Sequence, residues 1–480
     1  MFTLFRKKSF ILLGILCGVL ANCQLNAQNY HTIHGSSFAG AASIFNNPAS
    51  PNNSLHKWDI NLFSFQVSNI TNSLYLKDMK LPSIANASIQ LKEGKMNRYN
   101  HQSIDMSLFN AMYQIDTKQS ISGGLRIRSY THFKTNSFEA NDSTTTLNRF
   151  LFNNRTTPFI EGFGTHAGWL EGNLNYSRVI KSTSEGKLSA GITLQIAKNV
   201  SGAYTRINRF SFLETKVTPT DTVYNFTGGS GSYAYSSNYD AISPNINLQG
   251  NINQMIKSGT TSVGLSVGME YMLYNQSVSV GENEPIPYHW KVGISIMDIS
   301  ASTFKTSEYT GQFSNSTNAI TNGDISKKLS GINSSQDLRD SLTTLFGTVT
   351  PLSSTFNINH PTRMIINVDR NFGNHFYLNG QLSMNFRSSS SSNKFNTREL
   401  SLLTITPRWE TMSWGLYFPL QYNTQGQFWM GAAIKMGPLV AGIHNIGLLK
   451  KDPLLNGGAY LMMSIHPFNK KMYTTRLDCF

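Results

Sequence analysis

Seven arginines, Arg126, Arg128, Arg178, Arg363, Arg370, Arg387 and Arg408, stand inside otherwise apolar segments. A guanidinium is a rigid fork of donors that grips carboxylate or phosphate oxygens two at a time. Arg126, Arg128, Arg370 and Arg408 are therefore candidates to hold the head group of an amphipathic ligand. The same residues could instead pair with Asp369, Glu270 and Glu410 and simply fill an interior. A second group with functional potential is Asn46-Asn47-Pro48-Ala49, preceded by Ala39-Gly40-Ala41-Ala42. Small residues can pass close to a wall that would reject larger ones, and Pro48 fixes the turn that follows. Two readings stay open for this stretch, an inserted plug and a flexible leader.

Other chemistries find little support. The 11 histidines are scattered, and apart from His31 and His34 no two fall within four residues, so no metal site is expected. Gly228-Gly229-Ser230-Gly231 lacks the strand-to-helix context of a phosphate cradle and reads as a loop tip. Asp and Glu total only 26, spread widely, with no Ser-His-Asp arrangement in a supporting motif. The expectation is a protein that is not an enzyme and uses no cofactor.

The arginines need elements that hold them, and the sequence supplies one kind repeatedly. From Lys57 onward, segments of about ten residues alternate apolar and polar side chains between Gly, Asn, Ser or Asp. In Leu188-Ala190-Ile192-Leu194-Ile196 the apolar set would meet lipid, while Ser189, Gly191, Thr193 and Gln195 would face a wet lumen. Trp58-Ile60-Leu62-Phe65-Val67 and Leu174-Tyr176-Val179 read the same way. A charge on the lipid side of such a strand costs about 2 to 4 kcal/mol at midplane, so the arginines should point inward or lie at a rim.

The amino terminus places the chain outside the cytoplasm. Arg6, Lys7 and Lys8 precede an apolar run from Phe10 to Ala21, which reads as a secretory signal peptide cleaved after Ala27. That run is too short for a spanning helix, which needs roughly twenty residues. Lipidation at Cys23 would call for a small residue where Asn22 stands. Cys17 and Cys23 leave with the leader, so Cys479 remains alone and no internal disulfide is expected.

No later stretch is apolar enough for a helical span, and the chain is 14% charged against about 25% for a soluble domain. The expected fold class is all-β, a transmembrane antiparallel barrel of about fourteen strands with an amino-terminal hatch and long extracellular loops. A soluble β-sandwich is the competing reading, disfavoured by the low charge. Of the formal charge of +14, three charges lie in the leader, leaving the mature chain near +11. Anionic lipopolysaccharide or an anionic lumen ligand fits that better than nucleic acid.

The expected organisation is a signal peptide at 1–27, a hatch at 28–56, a barrel at 57–468 and a tail at 469–480. Long loops are expected near 136–158, 213–240 and 325–360. The last should carry a helix with Leu338, Leu342 and Leu345 on one face, capped by Ser334 or Ser335. An aromatic girdle is expected from Trp58, Tyr176, Tyr271, Tyr274, Trp290, Trp409, Trp414, Tyr422 and Trp429. Phe468 and Phe480 compete as the aromatic that closes the barrel-assembly signal.

The run Gly35 to Ser50, with Asn47-Pro48-Ala49 just after the cleavage site, resembles the amino-terminal motif of FadL-like outer-membrane transporters. That resemblance implies a fourteen-stranded barrel with an inserted hatch, carrying long-chain fatty acids or other hydrophobic compounds. Asp369-Arg370-Asn371-Phe372-Gly373, Thr406-Pro407-Arg408-Trp409-Glu410, Phe418-Pro419-Leu420 and Gly437-Pro438-Leu439-Val440-Ala441-Gly442 are similar to a bacteroidete family of uncharacterised FadL-like barrels. It implies fold and location for a Gram-negative outer membrane, and no activity. The peptidoglycan-binding domain that follows the barrel in some relatives is not expected here.

Two functions follow from these readings. One is a channel for hydrophobic or amphipathic small molecules, with outer-membrane lipids, lipopolysaccharide, the barrel-assembly machinery and a fatty-acid-like ligand as partners. The other is a structural or interaction barrel within an outer-membrane secretion, motility or assembly complex.

Overall fold

A computed structural model describes residues 33–78, 87–141, 146–217, 222–243, 245–274, 288–314, 320–387 and 395–467. The expected signal peptide and cleavage site, the expected tail with Cys479, and both Phe468 and Phe480 lie outside those residues.

Fourteen antiparallel strands make the wall. They are β1 (Trp58–Thr71), β2 (Gly94–Gln114), β3 (Gln119–Ala140), β4 (Ile160–Ser182) and β5 (Gly186–Val217). Next come β6 (Thr260–Tyr274), β7 (Tyr288–Ile299), β8 (Arg363–Gly373), β9 (Phe376–Asn385) and β10 (Leu402–Glu410). Strand β11 runs as Trp414–Tyr417 and Leu420–Asn423, and β12 as Phe428–Met430 and Ala432–Met436. The last two are β13 (Leu439–Ile443) and β14 (Gly457–Ile465). Each strand pairs with the next, and β14 returns to β1 through Ile60↔Ile465 to Asn69↔Gly457. Closure removes the free edge, which in hydrocarbon would leave amides unpaired. No helix of the described residues is long and apolar enough to cross a membrane.

The two faces follow the alternation. Ile192, Leu194 and Ile196 are exposed on the outside, while Ser189, Thr193 and Gln195 are buried within the barrel. In β1 the ladder shifts between Asn61 and Phe63, which is why its apolar set moves from even to odd positions between Leu62 and Phe65. Outward apolar residues form a belt that on β5 runs from Leu188 to Ile196, the 9–11 residues a tilted strand needs to span hydrocarbon. Trp58, Tyr176, Tyr271, Trp290 and Trp414 lie near the rim where the turns are short, such as Asp116–Lys118 and Asn374–His375.

The structure corrects several expectations. Trp429 is buried against Ile70, Tyr99, Leu400 and Leu402, because Phe428 takes the outward position on that strand. Tyr274 packs against the interior cluster of Met272, Tyr288 and Tyr377. The glycine run 228–231 lies within a strand, Thr222–Tyr235, paired with the upper part of β5, so it is no loop tip. At Gly231 a Cβ would come within 2.2 Å of the Phe313 ring, so close strand-to-strand packing is the reason for the glycine. Much of 213–240 is therefore sheet. Between 322 and 346 there are two helices, Asn322–Leu329 and Ser335–Phe346, and Ser334 caps the second by accepting from the Asp337 amide.

Candidate functional site

Residues 33–56 do not leave the barrel. They lie inside the lumen as two short 3-10 helices, Gly40–Phe45 and Ser50–Asn53, almost every residue buried. Gly40 adopts φ +51°, and a Cβ there would fall on the Asp59 carboxylate, so only glycine fits.

Wall side chains hold the segment mainly by its backbone. Asn110 Nδ2 donates to the Ala41 carbonyl at 2.7 Å, and the Asp59 carboxylate accepts from the Ala41 amide at 3.0 Å. Ser295 Oγ donates to the Asn46 carbonyl at 2.6 Å, Asn175 Nδ2 to that of Pro48 at 3.0 Å, and Lys187 Nζ to that of Asn52 at 2.8 Å. Gln114 reaches the Ser54 carbonyl at 3.0 Å. In return Asn47 Nδ2 donates to the Met269 carbonyl at 2.9 Å, and Ser50 and Asn53 both donate to Glu270. Ser36 Oγ donates to Glu410 at 2.7 Å.

The Asn-Pro-Ala turn sits where segment and wall approach most closely. Asn47 Oδ1 accepts from the Ala49 amide at 3.0 Å, tightening the turn. Opposite it stand glycines of the wall: a Cβ on Gly191 would lie 2.0 Å from the Pro48 carbonyl oxygen, and one on Gly268 would lie 2.1 Å from Asn47 Oδ1. Asn46, Asn47, Pro48 and Ala49 are all buried, and together they meet one patch of β4, β5, β6 and β7.

Above the segment Arg126, Arg128 and Arg363 form an ionic layer. Arg126 pairs with Asp105 and lies 3.5 Å from Glu171, with its guanidinium 4.1 Å above the Phe45 ring. Arg128 pairs bidentately with Asp298 at 2.7 and 2.8 Å. Arg363 pairs with Glu399 at 2.5 Å and lies 3.6 Å from Asp298. A second cluster joins Arg408 to Asp369 at 2.6 and 2.8 Å and to Glu410 at 3.0 Å, with Tyr288 on Asp369 and Tyr417 on Glu410. Removing water from such charges is tolerable because each guanidinium has oxygen partners.

Arg126, Arg128 and Arg408 thus face inward with their forks engaged. Arg370 does not. Asp369 occupies the inward position, so the next residue of β8 points outward, where Arg370 stacks over Trp290 at 4.7 Å and Phe372 at 5.7 Å. Its expected place in the lumen is corrected by that alternation. Arg178 is also outward, exposed near the short-turn rim. Glu270 holds the inserted segment and pairs with none of the arginines. Asp105, Glu171, Asp298 and Glu399 were not anticipated; each acid falls at a buried position, a parity that a register-aware reading could have used.

Above the ionic layer a cluster of rings packs against the inner face of β3, β4 and β5. Tyr130, Trp169, Tyr204, Phe304 and Phe356 form one cluster with Ile358. His360 stacks on Trp169 at 3.9 Å and Phe395 on Tyr204 at 3.6 Å. Segments Ala301–Lys305, Thr355–Asn359 and Phe395–Asn396 make a small sheet that brings these side chains into the mouth.

Comparison with known proteins adds fold-level likeness. The chain is similar to a monoaromatic hydrocarbon channel, the TodX ΔS2S3 mutant, at TM-score 0.40 and 10% identity, covering 92% of this chain and 98% of that one. A FadL homologue of Pseudomonas aeruginosa gives TM-score 0.38 at 10% identity, with 90% and 95% covered. The toluene transporter TbuX of Ralstonia pickettii gives 0.36 at 8%, with 88% and 92% covered. At these scores the likeness carries no argument about fold or ligand. No curated protein matches. A family model, a family of unknown function (DUF5723), matches residues 48–443, and the chain belongs to that family.

Proposed function

We propose that this protein is an outer-membrane channel for hydrophobic or amphipathic small molecules, closed at rest by its own residues 33–56. The observation that carries the reading is the way the segment is held. Each of the hydrogen bonds described above between it and the wall uses a side chain, and none belongs to a barrel ladder. The segment can shift without opening a single wall pairing; each neutral contact is worth about 0.5 to 1.5 kcal/mol net, and each contact to Asp59, Lys187, Glu270 or Glu410 about 1.5 to 3 kcal/mol. Short turns mark the periplasmic rim and long loops the outer face, so the segment closes the periplasmic half. Outer-membrane lipids, lipopolysaccharide and the barrel-assembly machinery are the partners such a protein meets.

Deleting Gly35 to Pro51 tests this in planar bilayers and in vesicles loaded to trap oleate. Conductance and oleate entry are expected to rise several-fold. Unchanged values in a correctly folded deletion would dismiss the gate.

The aromatic and ionic layers above the segment favour a second reading, a rigid barrel that serves as a subunit of an envelope complex. Mild-detergent purification separates the two, since stoichiometric partner proteins favour the scaffold and a lone barrel with bound lipid-like molecules favours the channel.

A further inference from the structure

The outward position of Arg370 leaves a cation on a face where charge is costly, and its surroundings say what it is for. Among the described residues no carboxylate lies within ion-pairing distance of it. Its contacts are the rings of Trp290 and Phe372 and the His289 carbonyl at 3.5 Å. It sits three residues before the end of β8 at Gly373, close to the short turn at Asn374–His375. On a membrane barrel that is the level of the inner-leaflet head groups, where a guanidinium is tolerated when it meets a phosphate.

Two strands away the wall is dented. Phe376, Tyr377, Pro407, Arg408, Trp409, Leu416 and Phe418 line a groove of about 510 Å³, in which Phe376, Leu416 and Phe418 are exposed and outward. Prolines explain the dent. Pro407 accepts from the Phe418 amide at 3.1 Å but has no N–H to return, and β11 breaks at Phe418-Pro419. Register ties groove and cation together: Arg370 faces Leu378, and Leu378 faces Pro407 on the next strand. Neighbouring strands lie about 4.8 Å apart, so the backbones of Arg370 and Pro407 are separated by about 10 Å, with the guanidinium over Trp290 on the far side, a span on the scale of one lipid.

We propose that Arg370 and this groove form a binding site for a single anionic phospholipid of the inner leaflet, its phosphate on Arg370 and one acyl chain against Phe376, Pro407, Leu416 and Phe418. Continuity with the lipid-facing belt supplies the acyl environment, and charge complementarity selects the head group. Trp290 and Phe372 hold the guanidinium flat and oriented. The site is independent of whether the lumen ever opens.

Native mass spectrometry of the full protein in detergent, titrated with phosphatidylglycerol or phosphatidylcholine, reads the site. One phosphatidylglycerol should be retained about tenfold more tightly than phosphatidylcholine, because both carry a phosphate but the choline cation offsets its charge in the second. Arg370→Gln should abolish that preference and Arg370→Lys should keep part of it. Leu416→Trp, which fills the groove, should weaken both lipids while heat-modifiable migration on gels confirms a folded barrel. Equal retention of the two lipids by the unaltered protein overturns the proposal. So does an Arg370→Gln variant that keeps the preference, or competition by inorganic phosphate at millimolar concentration, which would mark an ion site without an acyl chain.

Discussion

The wall of this barrel is lopsided. Strands β2 to β5 have 21, 22, 23 and 32 residues, whereas β10 has 9 and β13 has 5. Crossing hydrocarbon takes 9 to 11 tilted residues, so β10 just reaches that length, the regular pairing of β13 stops short of it, and among the described residues the short side carries no sheet beyond the lipid belt. The tall side continues as sheet beyond the lipid belt. There its outward residues turn polar, as with Thr131 and His166, which hydrogen bond each other at 2.8 Å. The tall side also supplies Asp105, Arg126, Arg128 and Glu171 to the ionic layer and Tyr130 and Trp169 to the aromatic one. The short side carries Pro407, Pro419 and the lipid-facing groove. One half of the cylinder packs the interior, and the other half meets the membrane with a thinner ladder.

Four substitutions would sharpen or break that contrast. The largest effect is expected from Arg128→Ala, which removes the bidentate partner of buried Asp298 and leaves it Arg363 at 3.6 Å and Gln195 Nε2 at 3.2 Å; breaking one partner of a buried pair costs about 3 to 5 kcal/mol. Urea unfolding in lipid vesicles would show it, and a loss below about 1 kcal/mol would mean that the tall side does not depend on this layer. Leu194→Arg, in the belt, should cost about 2 to 4 kcal/mol by the same assay. Disruption of the Ser36 to Glu410 contact by Ser36→Ala should cost about 1 to 3 kcal/mol, because a buried carboxylate loses a donor. It should also raise basal conductance, and an unaltered conductance would argue that the segment is held elsewhere. Thr131→Arg, on the same wall as Leu194 but above the belt, should cost about 0 to 1 kcal/mol. A cost equal to that of Leu194→Arg would place Thr131 in hydrocarbon and erase the distinction between the two levels.

Much of the fold was legible because alternation is local. The even positions of Leu188–Ile196 and the odd positions between them declare two different surfaces without any partner strand. Repeated along the chain, that period leads to a barrel of about fourteen strands. The Asn47-Pro48-Ala49 turn and the small residues before it announced a close approach. Strand length was less legible. The run from Gly94 to Gln102 shows no alternation, yet β2 starts at Gly94, since polar residues above the belt carry no apolar rhythm although their backbones still pair.

What the sequence by itself determined is therefore the two faces of each strand and the presence of a small-residue segment at its start, both set by side-chain size and polarity over a few residues. The tertiary structure alone decided which inward groups meet. Arg128 finds Asp298 across 170 residues, and Pro48 finds room at Gly191 because closure brings β5 beside the inserted segment. Period and composition do not encode which strands face each other across the lumen; that depends on strand number and register together, properties of the closed cylinder and of no single stretch of chain.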